Sequence, residues 1–170
     1  MQIKVKGHIS DERKRRCRRK RTIFLIYFST NAATLVHPFK QYSLKQALKR
    51  TYAMAFTMQE TCFKTKGTFK VHDFNIFEAI QAKEKSGIII GAHKSLSPVL
   101  VSEYDTDFQL IVVKVTVNNK GIRMITGVEP HENTSEDVGI IFFLALKEEI
   151  TKAELENKSI SIEVDANSKL

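Results

Sequence analysis

Cysteine, proline and glycine are scarce in this chain of 170 residues, and no apolar run in it is long. The two cysteines, Cys17 and Cys62, form no C-x-x-C pair. That excludes a disulfide framework and a cysteine-based zinc site, and fits free thiols in a reducing compartment. Three prolines and seven glycines are nowhere gathered into a tract, and 27% of residues are charged, which argues against disorder over most of the length. No stretch approaches the roughly 20 apolar residues that a membrane-spanning helix needs. A basic run followed by Ile23 to Phe28 imitates a secretion signal, but the apolar part is at the short limit and the basic part is too long. The expectation is an intracellular protein of the nucleus or cytoplasm, with no membrane partner.

What is present suffices for one domain with a proper core, at 42% hydrophobic residues. The net charge of +8 is unevenly placed: Met1 to Arg21 holds ten basic and two acidic residues, and the seventeen of each that follow cancel. Residues 1–21 read as a flexible basic arm in which Arg15, Arg16, Arg18 and Arg19 would meet phosphates or serve as a nuclear address. The plainer alternative is a solvated tail.

From Thr22 the chain alternates strand and helix patterns. Thr22 to Ser29 is β-branched and aromatic, a first strand; Thr30 to Phe39 is a loop closed by Pro38; and Ser43 to Arg50 has an N-cap and helical apolar spacing at Leu44, Ala47 and Leu48. Ala53 to Thr61 runs apolar and stops on Glu60, which makes a β-α-β unit with a crossover. Cys62 to Lys70 is a basic loop whose Lys64, Lys66 and Lys70 are placed to meet phosphates. Val71 to Ala79 mixes aromatic and polar residues in rough alternation. Further strands are expected at Ser86 to His93, Val99 to Tyr104, Phe108 to Val117 and Ile122 to Thr126, the last two joined by Asn118-Asn119-Lys120-Gly121 as a hairpin. Thr134 or Ser135 caps a long helix to about Glu156, with Ile140, Ile141, Leu144, Ile150 and Leu155 as its helical repeat. Ser159 to Val164 is the last strand. The fold class is α/β.

Three of these strands end on polar, ligand-capable groups: Ile23 to Ser29 on Thr30 and Asn31, the Ala53 strand on Glu60, and Ile160 to Val164 on Asp165, Ala166 and Asn167. Chemistry in α/β folds gathers at such strand ends. If the three ends lie side by side, Asn31, Glu60, Asp165 and Asn167 converge, and a cluster rich in oxygen suits Mg²⁺.

Gln59-Glu60-Thr61 is similar to the Q-E-T signature of the endonuclease/exonuclease/phosphatase superfamily. Phe28 to Ala32 resembles its early strand-Asn motif, Ser86-Gly87 with Ile88 to His93 resembles its G-G-x-A-I strand, and Asp165-Ala166-Asn167 resembles its D-x-N motif. The nearest likeness is to endonuclease domains of retrotransposon type, and it covers about Thr22 to Leu170. The resemblance implies a four-layer α/β sandwich of mixed sheets flanked by helices, of which this chain is the N-terminal portion. It implies metal-dependent hydrolysis of a phosphodiester, DNA by ancestry, with Mg (or Mn) as cofactor. Carried over, Glu60 holds the metal, Asn31 orients groups around it, Asp165 aligns or deprotonates water, and Asn167 stabilises the phosphoryl oxygens.

Two departures temper that expectation. Where the family has a tyrosine after a strand, the chain reads Gly127-Val128-Glu129, and Val128 donates no hydrogen bond. The chain also stops after D-x-N, so residues 22–170 are expected to be a partial domain, weak or inactive alone. With no sequence for a second sheet, one sheet face is expected to be bare and to drive self-association. The alternatives are a non-catalytic basic nucleic-acid-binding protein or the relic of a retroelement.

Overall fold

The computed structural model describes residues 27–31, 35–80, 87–105, 108–130 and 135–165. The basic arm, with Arg15, Arg16, Arg18 and Arg19, lies outside the described residues, as does Asn167.

The first β-α-β unit runs from β1 (Tyr27–Asn31) through α1 (Pro38–Thr51) to β2 (Ala55–Gln59). Its helix starts five residues before the expected Ser43. Proline at the first helical position lacks only an N–H that would be unbonded there, and the His37 ring accepts the Phe39 N–H at 3.3 Å. Pro38 therefore opens the helix rather than closing a loop. β1 and β2 are parallel, with Asn31 opposite Gln59. β3 (Phe74–Ala79) and β4 (Ile88–His93) complete an antiparallel extension, giving a sheet of order β1-β2-β4-β3.

A single 3-10 turn at Lys94–Leu96, ending on left-handed Ser97, carries the chain to a second sheet. There β5 (Val99–Tyr104), β6 (Gln109–Val117) and β7 (Lys120–Val128) form a meander. The hairpin between β6 and β7 is the expected one, with both Asn118 and Asn119 at positive φ. α2 (Glu136–Leu155) crosses over to β8 (Ser159–Asp165), which joins β7 in parallel, and the order is β5-β6-β7-β8.

Strand alternation explains the layering. Ala55, Ile88, Ile90 and Ala92 of the first sheet face Ile111, Val113, Val115 and Met124 of the second, and all are buried. The other face of the first sheet gives Phe56, Met58 and Ile89 to Leu44 and Leu48 of α1 and to Phe63 and Phe69 of the following loop. The other face of the second gives Leu110, Val112 and Ile125 to Phe142 and Ala145 of α2. The molecule is thus four layers, helix, sheet, sheet, helix.

This corrects the expectation of a bare sheet. Residues 99–165 build the second sheet, and its apolar face closes over the first. Self-association through an uncovered inner face therefore loses its basis. α2 also turns differently from its expected stripe: Ile140, Ile141, Leu144 and Leu155 are exposed, whereas Phe142, Ala145, Glu149 and Ala153 are buried. Buried Arg123 on β7 sets that rotation by pairing with Glu149 at 2.9 Å and with Glu156 at 2.7 Å.

Candidate active site

Strand direction decides which side chains share a rim. β1 and β2 end together at Asn31 and Gln59, and antiparallel β4 starts beside them, since Met58 pairs with Ile89. In the second sheet β7 and β8 end together, Val128 opposite Asp165, and β6 begins there, Gln109 opposite Val128.

Two buried glutamines lock these ends together across the sheets. Gln59 donates through Nε2 to the backbone carbonyls of Gly127 (3.0 Å) and Glu163 (3.3 Å), so the end of β2 is held to the ends of β7 and β8. In the opposite direction Gln109 accepts the Gly87 N–H at 2.9 Å and donates to the Ala79 carbonyl at 3.0 Å. Each amide satisfies buried backbone groups that would otherwise be costly to leave unpaired. Glu60, next after Gln59, and Asp165, two residues after Glu163, therefore emerge on the same rim. The Asn31 backbone lies at its edge through the pairing with Gln59.

The backbone around Glu60 is held in an uncommon conformation. Glu60 and Cys62 both have positive φ, 53° and 60°. Left-handed non-glycine residues cost of order 1–3 kcal/mol each and persist where their surroundings over-determine them. Here the Cys62 thiol donates to the Glu60 carbonyl at 3.5 Å, and the N–H of fully buried Thr61 donates to the Gly87 carbonyl at 3.0 Å. Gly87, at φ +110°, has no room for a side chain: a Cβ would lie 2.4 Å from Thr61 Oγ1. The Glu60 turn and the glycine that opens the Ile88 strand thus form one structural unit.

Sequence reasoning missed three participants. In sequence Gln59 reads as one letter of a signature, Gln109 as the second residue of a strand, and Glu129, whose N–H donates to the Asp165 carbonyl at 3.0 Å, as a loop residue. A glutamine inside an otherwise apolar run was the available sign for the first two. Val128, at the position of the family's tyrosine, is half-buried and packs against the inter-sheet core.

The two loop lysines differ. Lys64 is exposed. The Lys66 ammonium is bound by Asp105 at 2.7 Å and by Glu103, hydrogen bonds that raise its pKa above the usual lysine value, so its charge faces carboxylates rather than an incoming phosphate. Close by, buried Glu78 accepts the Gly67 N–H at 2.5 Å and fastens the same loop to β3; burial pushes its carboxyl pKa up. A shallow cleft of about 740 Å³, lined by Lys70 to Phe77 and Lys94, lies where β3 begins, at the other end of the sheet from Glu60.

Glu60, Glu129 and Asp165 carry carboxylates near this rim, and among the described residues no three His, Cys, Asp or Glu side chains are grouped so as to hold a metal ion. Mg²⁺ is commonly held by one or two carboxylates, its own waters and substrate phosphate rather than by such a cage.

No family model and no curated protein matches the sequence. Solved structures do match in fold. TDP2 of D. rerio complexed with single-strand DNA product superposes with a TM-score of 0.57 at 13% identity, over 85% of this chain and 60% of that one. TDP2 from C. elegans gives 0.57 at 9% identity, over 83% and 47%. The endonuclease domain of TRAS1, a telomere-specific non-LTR retrotransposon, gives 0.52 at 14% identity, over 84% and 58%. The chain therefore spans half to three-fifths of the length of these structures. At the level of fold alone, these likenesses and the four-layer arrangement of two mixed sheets give this chain the endonuclease/exonuclease/phosphatase fold.

Proposed function

We propose that the Glu60–Asp165 rim is the phosphodiester-binding end of a divalent-metal-dependent, nuclease-like domain whose substrate class is DNA. The observation that supports this reading is the Gln59 bridge, which fastens strand ends from different sheets, so that the backbone carrying Glu60 and Asp165 leaves the sheets at one rim. Comparison with TDP2 bound to DNA product and with a retrotransposon endonuclease domain supports DNA as the substrate class.

In this reading Glu60 holds Mg²⁺ or Mn²⁺, which when bound polarises the phosphoryl oxygens. The fixed left-handed backbone at Glu60 restricts where its carboxylate sits, so orientation is provided before substrate arrives. Asp165, tied through its carbonyl to Glu129, orients water and takes its proton. Asn31 and Asn167 keep the roles that the resemblance gives them, Asn31 orienting groups around the metal and Asn167 donating to the phosphoryl oxygens. Val128 supplies no hydrogen bond where the family's tyrosine would, and losing one such donor lowers rates by about 10²-fold or more. Weak turnover is the expected consequence.

Plasmid and abasic-site DNA incubated with Mg²⁺ provide the test. Nicking above background that falls at least about tenfold in Glu60→Ala is expected. Equal rates in both proteins would remove Glu60 from the mechanism. The valine at the tyrosine position favours a second reading, a DNA-binding protein without turnover, and binding with no nicking by wild type or variant would select it.

A further inference from the structure

We propose that the outward face of α1 is a binding platform for a single-stranded polynucleotide. Between Thr22 and Gln59 the chain has no Asp or Glu, while α1 carries Lys40, Lys45, Lys49 and Arg50. Lys45, Lys49 and Arg50 make no ion pair with any described carboxylate. Two of these cations sit in the last turn, where the helix dipole favours them. The dipole accounts for neither Lys45 in mid-helix nor what lies beside it.

What lies beside it is aromatic. Phe39 is 70% exposed, Tyr42 61% and Tyr52, at the left-handed C-cap, 80%. The helix buries Leu44 and Leu48. At 3.6 residues per turn Phe39, Tyr42, Lys49 and Arg50 fall on the opposite side, a stripe roughly 16 Å long. Rings at one end and cations at the other match the two surfaces of an unpaired strand, which stacks its bases on aromatics and lays its phosphates along positive charge. A duplex has the charge but conceals its base faces, so the exposed rings select the single strand.

The platform needs no cleavage, so it stands apart from the reading of the rim. The test is fluorescence anisotropy on the full chain with a labelled oligothymidylate and, separately, a duplex of the same length, in EDTA to silence any metal-dependent chemistry. Phe39→Ala with Tyr42→Ala is expected to weaken single-strand binding about tenfold or more, with little change in duplex binding. Phe39→Tyr with Tyr42→Phe, which keeps both rings, restores it. Lys49→Gln with Arg50→Gln is expected to lower the slope of log affinity against log salt by roughly 1.4. These four side chains are exposed, and circular dichroism checks that each variant keeps its helix content. Wild-type single-strand affinity in the ring-free variant, or equal loss on both nucleic acids, overturns the proposal. Because cleavage is absent from these measurements, its failure leaves the rim reading standing, and the Glu60→Ala result leaves the platform standing.

Discussion

The two β-α-β units make the same connection and hold their helices by different means. α1 rests on its sheet through aliphatic and aromatic contact, Leu44 and Leu48 against Phe56 and Met58. α2 adds to Phe142 and Ala145 an ionic network in which Arg123 bridges Glu149 and Glu156, while Ser102 and Lys152 also reach Glu149, at 2.9 and 3.1 Å. Arg123 and Glu149 are nearly inaccessible to water, at 5% and 0% side-chain exposure. Attachment chemistry and position are therefore separable. Either kind of lock places a parallel strand so that it ends at the same rim, and the residues that align the two ends belong to the strands themselves.

The largest effect that would sharpen this contrast is in the ionic lock. Glu149→Ala leaves Arg123 buried beside only the half-exposed Glu156 and is expected to cost about 3–5 kcal/mol by urea denaturation. The double change Arg123→Met with Glu149→Leu should recover most of that loss, because apolar groups of similar size need no partner. No paired substitution of that kind rescues Leu48→Ala, whose cost of about 2–5 kcal/mol comes from a cavity. If the double variant is as unstable as Glu149→Ala, the network is not what holds α2.

Next in size is a pH effect at the loop beside α1. Burial raises the folded-state pKa of Glu78 above its ordinary 4.5. The folded protein therefore binds more protons at this group than the unfolded chain does, and stability falls as pH rises from the unfolded pKa through the raised one. Glu78→Gln removes the titration, so the wild type should lose stability relative to the variant as pH climbs through that window. A constant difference between the two across pH 4 to 8 would contradict the assignment.

The smallest effect is on the exposed half of α2. Ile140→Lys and Leu144→Lys should each change stability by no more than about 0.5 kcal/mol, since neither side chain is part of the core. A loss of several kcal/mol would mean that the apolar repeat read from the sequence, and not the Phe142–Glu149–Ala153 face, is buried.

That repeat shows where sequence reading stops. Periodicity finds a helix, but α2 has apolar residues on two faces, and the choice between them is made by Arg123, more than twenty residues away from Glu149 in sequence. The strands, the Asn118-Asn119 turn and the crossover into the Glu60 strand were legible because local patterns specify them. Division into two sheets was not, since it depends on three residues, Lys94–Leu96, that turn the chain between layers. The rim itself was legible as a set of strand ends. The Gln59 and Gln109 bridges that join those ends were not, because their partners are backbone atoms, and sequence does not mark which backbone atoms will be near.

The proposed function rests on Glu60 holding an ion at the rim where Asp165 would act on water. Titration with Mn²⁺, followed by water-proton relaxation on the full chain, measures this directly in wild type, Glu60→Gln and Asp165→Asn. One site weakened about tenfold or more by Glu60→Gln, and much less by Asp165→Asn, is the expected result. Wild-type Mn²⁺ affinity in Glu60→Gln would contradict a metal site at this end of the two sheets.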